Sequence, residues 1–280
     1  MTISVAAVAA PFGRDLEAGF ALVAELVAQA RARGVRLLAL PEAALGGYLA
    51  DLSGDGTPDL PPALDVDGPE VARLAAIAGD MVVTAGLCES DGAQRYNTAV
   101  AVTGDGVLGV HRKVHQPLGE NASYAAGDGF RAFDSPIGRM GMLICYDKAF
   151  PESARTLAMD GAEVIACMSA WPAARTMSDP DLAQDRWTRR FDLFDAARAL
   201  ENQVVWLSAN QAGTFGSLRF VCSAKVVGPG GEVLATTGVA PGTAVAEVDV
   251  RGLLDGARRS MAHLRDRRPD AYGVRAGAMA

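Results

Sequence analysis

The chain has 280 residues, half of them hydrophobic, and a formal net charge of −7. That is enough chain for one large domain with a substantial core, or for two small ones. The acidic balance argues against a nucleic-acid or anionic-membrane surface, and no apolar run reaches the length of a membrane span. Met1 to Val5 lack a basic region followed by a long apolar stretch, so nothing there reads as a leader. The four cysteines, Cys88, Cys145, Cys167 and Cys222, are scattered without a C-x-x-C pair. They fit reduced thiols in a cytoplasmic protein rather than a disulfide framework.

Taken in order, Ile3 to Ala9 reads as a buried strand. Leu16 to Arg33 reads as a helix, with Phe20, Val23, Val27 and Ala30 on one face and Gly34 as the stop. Val35 to Leu40 is a second buried strand, delivering Pro41-Glu42. Residues 51–67 are rich in Asp, Gly and Pro and read as a loop that could wall a pocket. A helix over Val71–Ile77 precedes strands at Met81–Leu87, Thr98–Thr103 and Val107–Val110, the last two joined by an Asp105-Gly106 hairpin turn. A polar loop follows over 112–129. A strand from Met140 to Ile144 then ends at Cys145, and a helix opens at Pro151-Glu152.

Val164 to Met168 is a strand leading into Ser169-Ala170-Trp171-Pro172, and Asp185 to Glu201 is a long helix. Val204 to Ala209, Ala224 to Val227, Val233 to Thr236 and Thr243 to Val250 complete the strands. From about Gly256 the chain turns basic and polar and reads as an arm. Strands arrive both through helices and through hairpins. This is a mixed α/β pattern whose order suggests two sheets, with no internal repeat or domain break.

Three chemical groups stand just past the ends of apolar strands, where α/β sites gather: Glu42, Lys113 and Cys145. A cysteine at a strand-to-helix turn is built like a nucleophile elbow, and a nearby helix start favours its thiolate. Taken alone, a buried core cysteine explains it as well. Glu42 can take a thiol proton, Lys113 can stabilise a developing oxyanion, and Cys145 can attack a carbonyl. His111, His115 and His263 have no metal-ligand spacing with one another or with cysteine, so no metal and no cofactor are expected. Arg112, beside the lysine, reads as a partner for a structural acid.

With these residues in view, the chain resembles the nitrilase superfamily, carbon–nitrogen hydrolases with a Glu-Lys-Cys triad. The matching pieces are Pro41-Glu42 with Gly47-Tyr48, Arg112-Lys113, Gly119-Glu120, and Cys145-Tyr146-Asp147 with Phe150-Pro151-Glu152. Further on come Ala197 to Asn202, Ala209-Asn210, and Asp266-Arg267-Arg268-Pro269 with Tyr272. They span nearly the whole chain in the family's order.

The resemblance implies one domain over residues 1–280 with a four-layer α-β-β-α sandwich. It also implies a C-terminal arm reaching a partner subunit, hence a homodimer or larger homo-oligomer. It makes Glu120 a second acid near the triad. Tyr48, Tyr146, Phe150 and Trp171 are candidate walls for a small-molecule amide, with ordinary core packing the alternative for each. Tyr146-Asp147 resembles the small-amide branch, which makes an amidase releasing ammonia the expected activity. An N-carbamoyl hydrolase and a nitrilase come next. Ala149 stands where many of those enzymes carry an arginine, which weighs against an acidic substrate. A catalytically silent binding subunit is the non-enzymatic alternative, and an intact Glu42, Lys113 and Cys145 argues against it.

Overall fold

The computed structural model describes residues 2–52 and 59–272. Its first half runs β1 (Thr2–Ala10), α1 (Leu16–Ala32), β2 (Val35–Ala39), α2 (Pro69–Ala78), β3 (Val82–Ser90), β4 (Arg95–Thr103) and β5 (Gly106–Arg112). The second runs β6 (Phe133–Ser135), β7 (Gly138–Ile144), α3 (Pro151–Met159), β8 (Val164–Ser169), α4 (Arg186–Asn202) and β9 (Val205–Gln211). The short strands β10 (Thr214–Phe215) and β11 (Leu218–Arg219) follow, then β12 (Lys225–Val227), β13 (Val233–Thr236), β14 (Gly242–Asp249) and α5 (Val250–Ser260).

Local chemistry sets the helix ends. Asp15 caps α1 by accepting hydrogen bonds from the N–H groups of Glu17 and Ala18, and Gly34 ends the turn at φ +69°. Proline opens both α2 and α3, where its missing N–H costs nothing.

Hydrogen bonding joins the strands in two six-stranded arrays. One runs β5-β4-β3-β2-β1-β14, and the other runs β6-β7-β8-β9-β12-β13. Among the described residues the two arrays share strand pairing only where Ala9 and Ala10 of β1 pair with Asn210 and Gln211 of β9. Side-chain alternation turns these arrays into layers. Ala6 and Val8 of β1 face outward onto α1 and α2, packing with Phe20, Val23, Val27, Val71 and Leu74. Val5, Ala7 and Ala9 face the other way, against Val164, Ala166, Val205, Leu207 and Ala209 of the second array. That array's outer face, Leu143, Ile165, Cys167 and Trp206, is covered by Ala154 and Leu157 of α3 and Ala199 of α4. The result is the expected α-β-β-α sandwich.

Four elements were not expected: β6, α5 and the two-residue strands β10 and β11, which pair with each other. β6 is only three residues long, too short for any periodicity to register, and it is recruited by pairing with β7. The basic arm expected from about Gly256 begins inside a helix. α5 covers Val250–Ser260 and buries Val250 and Leu254, a pattern obscured by Gly252, Gly256 and three arginines. The chain beyond it folds back on itself. The His263 N–H donates to Gln203 Oε1 at 3.1 Å, and Ala262 is buried. The end of the arm, 273–280, and the middle of the 51–67 loop, 53–58, lie outside the described residues.

A buried charge cluster fastens the second array to α4. Asp195 accepts from Lys148 at 2.7 Å, from Lys225 at 2.8 Å and from the Trp206 indole at 3.0 Å, all of them buried. Burial pushes the Asp195 carboxyl up, but the two ammonium groups outweigh it and hold it below the ordinary range. Replacing Asp195 by Asn keeps the shape and strands the buried Lys148 ammonium, while Lys225 keeps Asp192 at 2.8 Å. Asp195→Asn is expected to cost about 3–5 kcal/mol in urea unfolding, and a loss below about 1 kcal/mol would show that the cluster is not holding the layers together.

Candidate active site

Glu42 follows β2, Lys113 follows β5 and Cys145 follows β7, so the two arrays deliver their chemistry to one end of the sandwich. The backbone is bent to do so. Cys145 sits at φ +49°, in the left-handed region that non-glycine residues rarely occupy, and opens a 3₁₀ turn over Cys145–Ala149. Ala43, just after the glutamate, is at φ +55°. The Glu42 turn lies so close to β3 that a Cβ on Gly86 would stand 2.3 Å from the Ala43 nitrogen. Only glycine fits there. Gln211, at the seam between the arrays, accepts from the Phe12 N–H at 3.0 Å and donates to the Glu42 carbonyl at 2.9 Å.

The centre is an ammonium between two carboxyl groups. Lys113 Nζ donates to Glu42 Oε1 at 2.8 Å and to Glu120 Oε2 at 2.7 Å, and all three side chains are fully buried. Asn97 of β4 bridges the same two acids, donating to Glu42 Oε1 and Glu120 Oε1 at 2.6 Å each. The second Glu42 oxygen accepts from the Ala170 N–H, just past β8. The same N–H faces the Cys145 sulfur and favours its thiolate, which places thiol and carboxyl around one donor. Burial alone would depress the Lys113 ammonium, but Glu120 and Glu42 outweigh it and hold it well above an ordinary lysine. Burial and the neighbouring Glu42 raise Glu120 to about 7 against the pull of Lys113.

Cys145 corrects the sequence reading on one point. Its surroundings are not electropositive. Burial, then Glu42, raise the thiol well above 9.0, and Lys113 offsets this only in part. The resting group is therefore a thiol that needs a base, not a stored thiolate.

Asp147 holds the elbow. It accepts from the backbone N–H of Ile144 at 3.2 Å and of His115 at 3.0 Å. His111 Nε2 and His115 Nδ1 each lie 2.9 Å from it. Burial pushes this carboxyl up, but the two histidine hydrogen bonds outweigh it and hold it at about 2. The turn bearing Cys145 is thus tied to the segment bearing Lys113.

A cavity of about 390 Å³ opens onto Cys145. Tyr48, Tyr146 and Trp171 line it, as the sequence reading expected. Phe150 is not among its walls: its ring stacks on His115 at 3.7 Å. Leu52, at the edge of the 51–67 loop, does reach the cavity. The sequence reading missed Asn97, His111 and the α4 face that also lines the cavity. A lone asparagine at the head of an apolar strand was the available signal for Asn97. Arg112 is structural, as expected, with Nε 2.9 Å from Glu89 and the guanidinium 3.9 Å over the Tyr96 ring. Among the described residues no group of three His, Cys, Asp or Glu side chains is placed to hold a metal ion, and no helix is long and apolar enough to cross a membrane.

Comparison with known proteins agrees with this geometry. A family model described as carbon–nitrogen hydrolase matches residues 4–254. A nitrilase of Pyrococcus abyssi is 33% identical over 233 residues, covering 81% of each chain. An omega-amidase of Xenopus tropicalis is 29% identical over 265 residues, covering 89% of each chain. A carbon–nitrogen hydrolase of Helicobacter pylori superposes with a TM-score of 0.82 at 25% identity, covering 97% of each chain.

A raised thiol makes a pH prediction. Iodoacetamide reacts with thiolate, so labelling of Cys145 in the resting protein should keep climbing as pH passes 9 and should be slow near neutrality. Peptide mass spectrometry across pH reads this directly. Labelling that saturates by neutral pH would mean a stored thiolate.

Proposed function

The chain belongs to the carbon–nitrogen hydrolase family, and from that premise we propose that it hydrolyses a small carboxamide to a carboxylic acid and ammonia through a cysteine thioester. The observation that carries this reading is the convergence of Glu42 and Cys145 on the Ala170 N–H, at the floor of a cavity, with Lys113 against the same glutamate. Glu42 takes the Cys145 proton as the sulfur attacks the amide carbonyl. Lys113 and the Tyr146 N–H face the oxyanion that forms. The C–N bond breaks as Glu42 returns the proton to the departing nitrogen, leaving the thioester. Water then attacks the thioester, Glu42 accepts its proton, and the acid leaves as the thiol is restored. Glu120 and Asn97 hold Lys113 and Glu42 in register through both halves.

The raised thiol supports this division of labour, because a cysteine that rests protonated is activated only where a base stands beside it. Amide is preferred over nitrile because Tyr146-Asp147 follows the cysteine. The relatives are named for both activities, nitrilase and omega-amidase.

Hydroxylamine competes with water for a thioester, so an accepted amide plus hydroxylamine should give a hydroxamate. Acid-quenched turnover should show acyl mass on the Cys145 peptide. Glu42→Gln should lower kcat by about 10²–10⁴-fold while circular dichroism stays unchanged. A panel of amides, carbamoyl compounds and nitriles, scored by ammonia and carbon dioxide release, separates the three bond types. Turnover by Cys145→Ala, lost to a chelator and restored by metal, would sink the thioester mechanism.

A further inference from the structure

The face that α4 turns to the cavity carries a feature that the hydrolytic groups do not use. Trp187, Arg190 and Phe194 all line the cavity. Their spacing of three and then four residues puts them on one helical stripe. The stripe is held from both ends. Asp185 caps the helix, its carboxylate 2.8 Å from the Trp187 N–H, and it also accepts from the Ala174 N–H. Asp195, one residue past Phe194, is locked by Lys148 and Lys225.

Within this stripe Arg190 is chemically out of place. Among the described residues lining the cavity it is the only Asp, Glu, Lys or Arg, and most of the other walls are aromatic or aliphatic, Tyr48, Leu118 and Trp171 among them. Its basic neighbours on the same helix are engaged. Arg186 donates to the Thr176 carbonyl at 2.8 Å, and Arg189 to Gln184 Oε1 at 2.7 Å. No hydrogen bond or ion pair of the Arg190 guanidinium exists among the described residues. In a chain of net charge −7, an exposed arginine left unpaired at an apolar cavity points to an anion that arrives with the ligand.

We propose that Arg190 is an anion anchor that selects amides whose apolar acyl body ends in a carboxylate. The inference rests on the amidase reading above and goes further, because it fixes both ends of the substrate. The carboxamide lies at Cys145, the body lies against Trp171, Trp187 and Phe194, and the far carboxylate pairs with the guanidinium. A bidentate pair at the edge of an apolar cleft is stronger than the same pair in open water. The arginine that Ala149 lacks, whose absence weighed against an acidic substrate, is replaced from another element. Arg190 approaches the cavity from α4 rather than from the elbow.

The test compares monoamides of linear diacids, from succinamate to suberamate, with unbranched neutral amides of matching length. The wild-type protein should favour the acid at one chain length by about five- to tenfold in kcat/KM, the range of a charge-assisted pair at a partly exposed site. Added salt should erode that preference. Arg190→Gln should abolish it through KM, leaving kcat and the neutral amides within about twofold, and Arg190→Lys should restore part of it. No preference for acid at any length, or an equal loss on neutral amides, would overturn the proposal.

Binding separates this result from failure of the amidase reading. The same pairs are titrated calorimetrically into Cys145→Ala, with and without Arg190→Gln. A protein that turns over no amide but binds the acids more tightly, only while Arg190 is present, refutes the activity and sustains the anchor. Equal affinity for acid and neutral partners, or no binding of either, overturns the anchor.

Discussion

Everything at this site depends on burying one ammonium between two carboxyl groups. An isolated buried lysine would cost several kcal/mol and shed its proton. Glu42 and Glu120 reverse that outcome for Lys113, at 2.8 and 2.7 Å. The arrangement also constrains the carboxyls, because the one ammonium holds both at hydrogen-bond distance. Asn97 ties both acids together and has no freedom to do otherwise, since its strand also supplies the carbonyl that accepts the Lys113 N–H at 2.8 Å. Glu42 is thereby held in one orientation, which suits its proposed role as a base that takes the Cys145 proton without reorganising.

The same cluster sets the price on the cysteine. Burial, then Glu42, raise its thiol and Lys113 only partly compensates, so the sulfur rests protonated. In a cell full of electrophiles, a buried thiol next to its base is safer than a standing thiolate. The backbone contributes too. The left-handed Cys145 is held in that strained conformation by Asp147, which gathers the Ile144 and His115 N–H groups and both nearby histidines. Strain of this kind persists only where the surroundings over-determine it, and here those four groups and the Val114 N–H, 3.3 Å from the same carboxylate, do so.

How much of this was legible before the structure depends on whether a residue's role is local. Glu42, Lys113 and Cys145 each follow a strand rich in apolar residues, and that pattern survives in a single stretch of sequence. The mixed α/β pattern and the two sheets were legible from the order of strands and helices, but the four-layer sandwich came only with the family resemblance, because a strand buried on both faces, such as Val5 to Val8, shows no alternation in its sequence. The hidden parts are those whose meaning needs a distant partner. Asn97 looks like any polar strand residue until Glu120 folds over it. His111 and His115 lack metal spacing and read as bystanders until Asp147 comes between them. The Cys145 environment was misread because a helix start lies nearby in sequence, whereas the nearest charges in space belong to Glu42 and Lys113. α5 was missed because its apolar stripe is thin and interrupted by glycine and arginine.

Reaction and recognition are housed in different parts of the fold. The hydrolytic groups hang from strand ends of both arrays, locked by short hydrogen bonds with no slack for variation. The cavity walls come from elsewhere: a loop edge at Leu52, the 3₁₀ turn at Tyr146, the segment after β8 at Trp171, and one stripe of α4. Helical side chains can change without moving the backbone that positions Glu42, Lys113 and Cys145. The Asp195 cluster strengthens that separation. It anchors α4 through Lys148 and Lys225 from beside the stripe, a hold on the helix that does not depend on Trp187, Arg190 or Phe194. A fold built this way can keep one set of strand-end groups while the cavity wall varies with what α4 presents, and in this chain α4 presents aromatic rings and, among the described residues, one guanidinium without a partner.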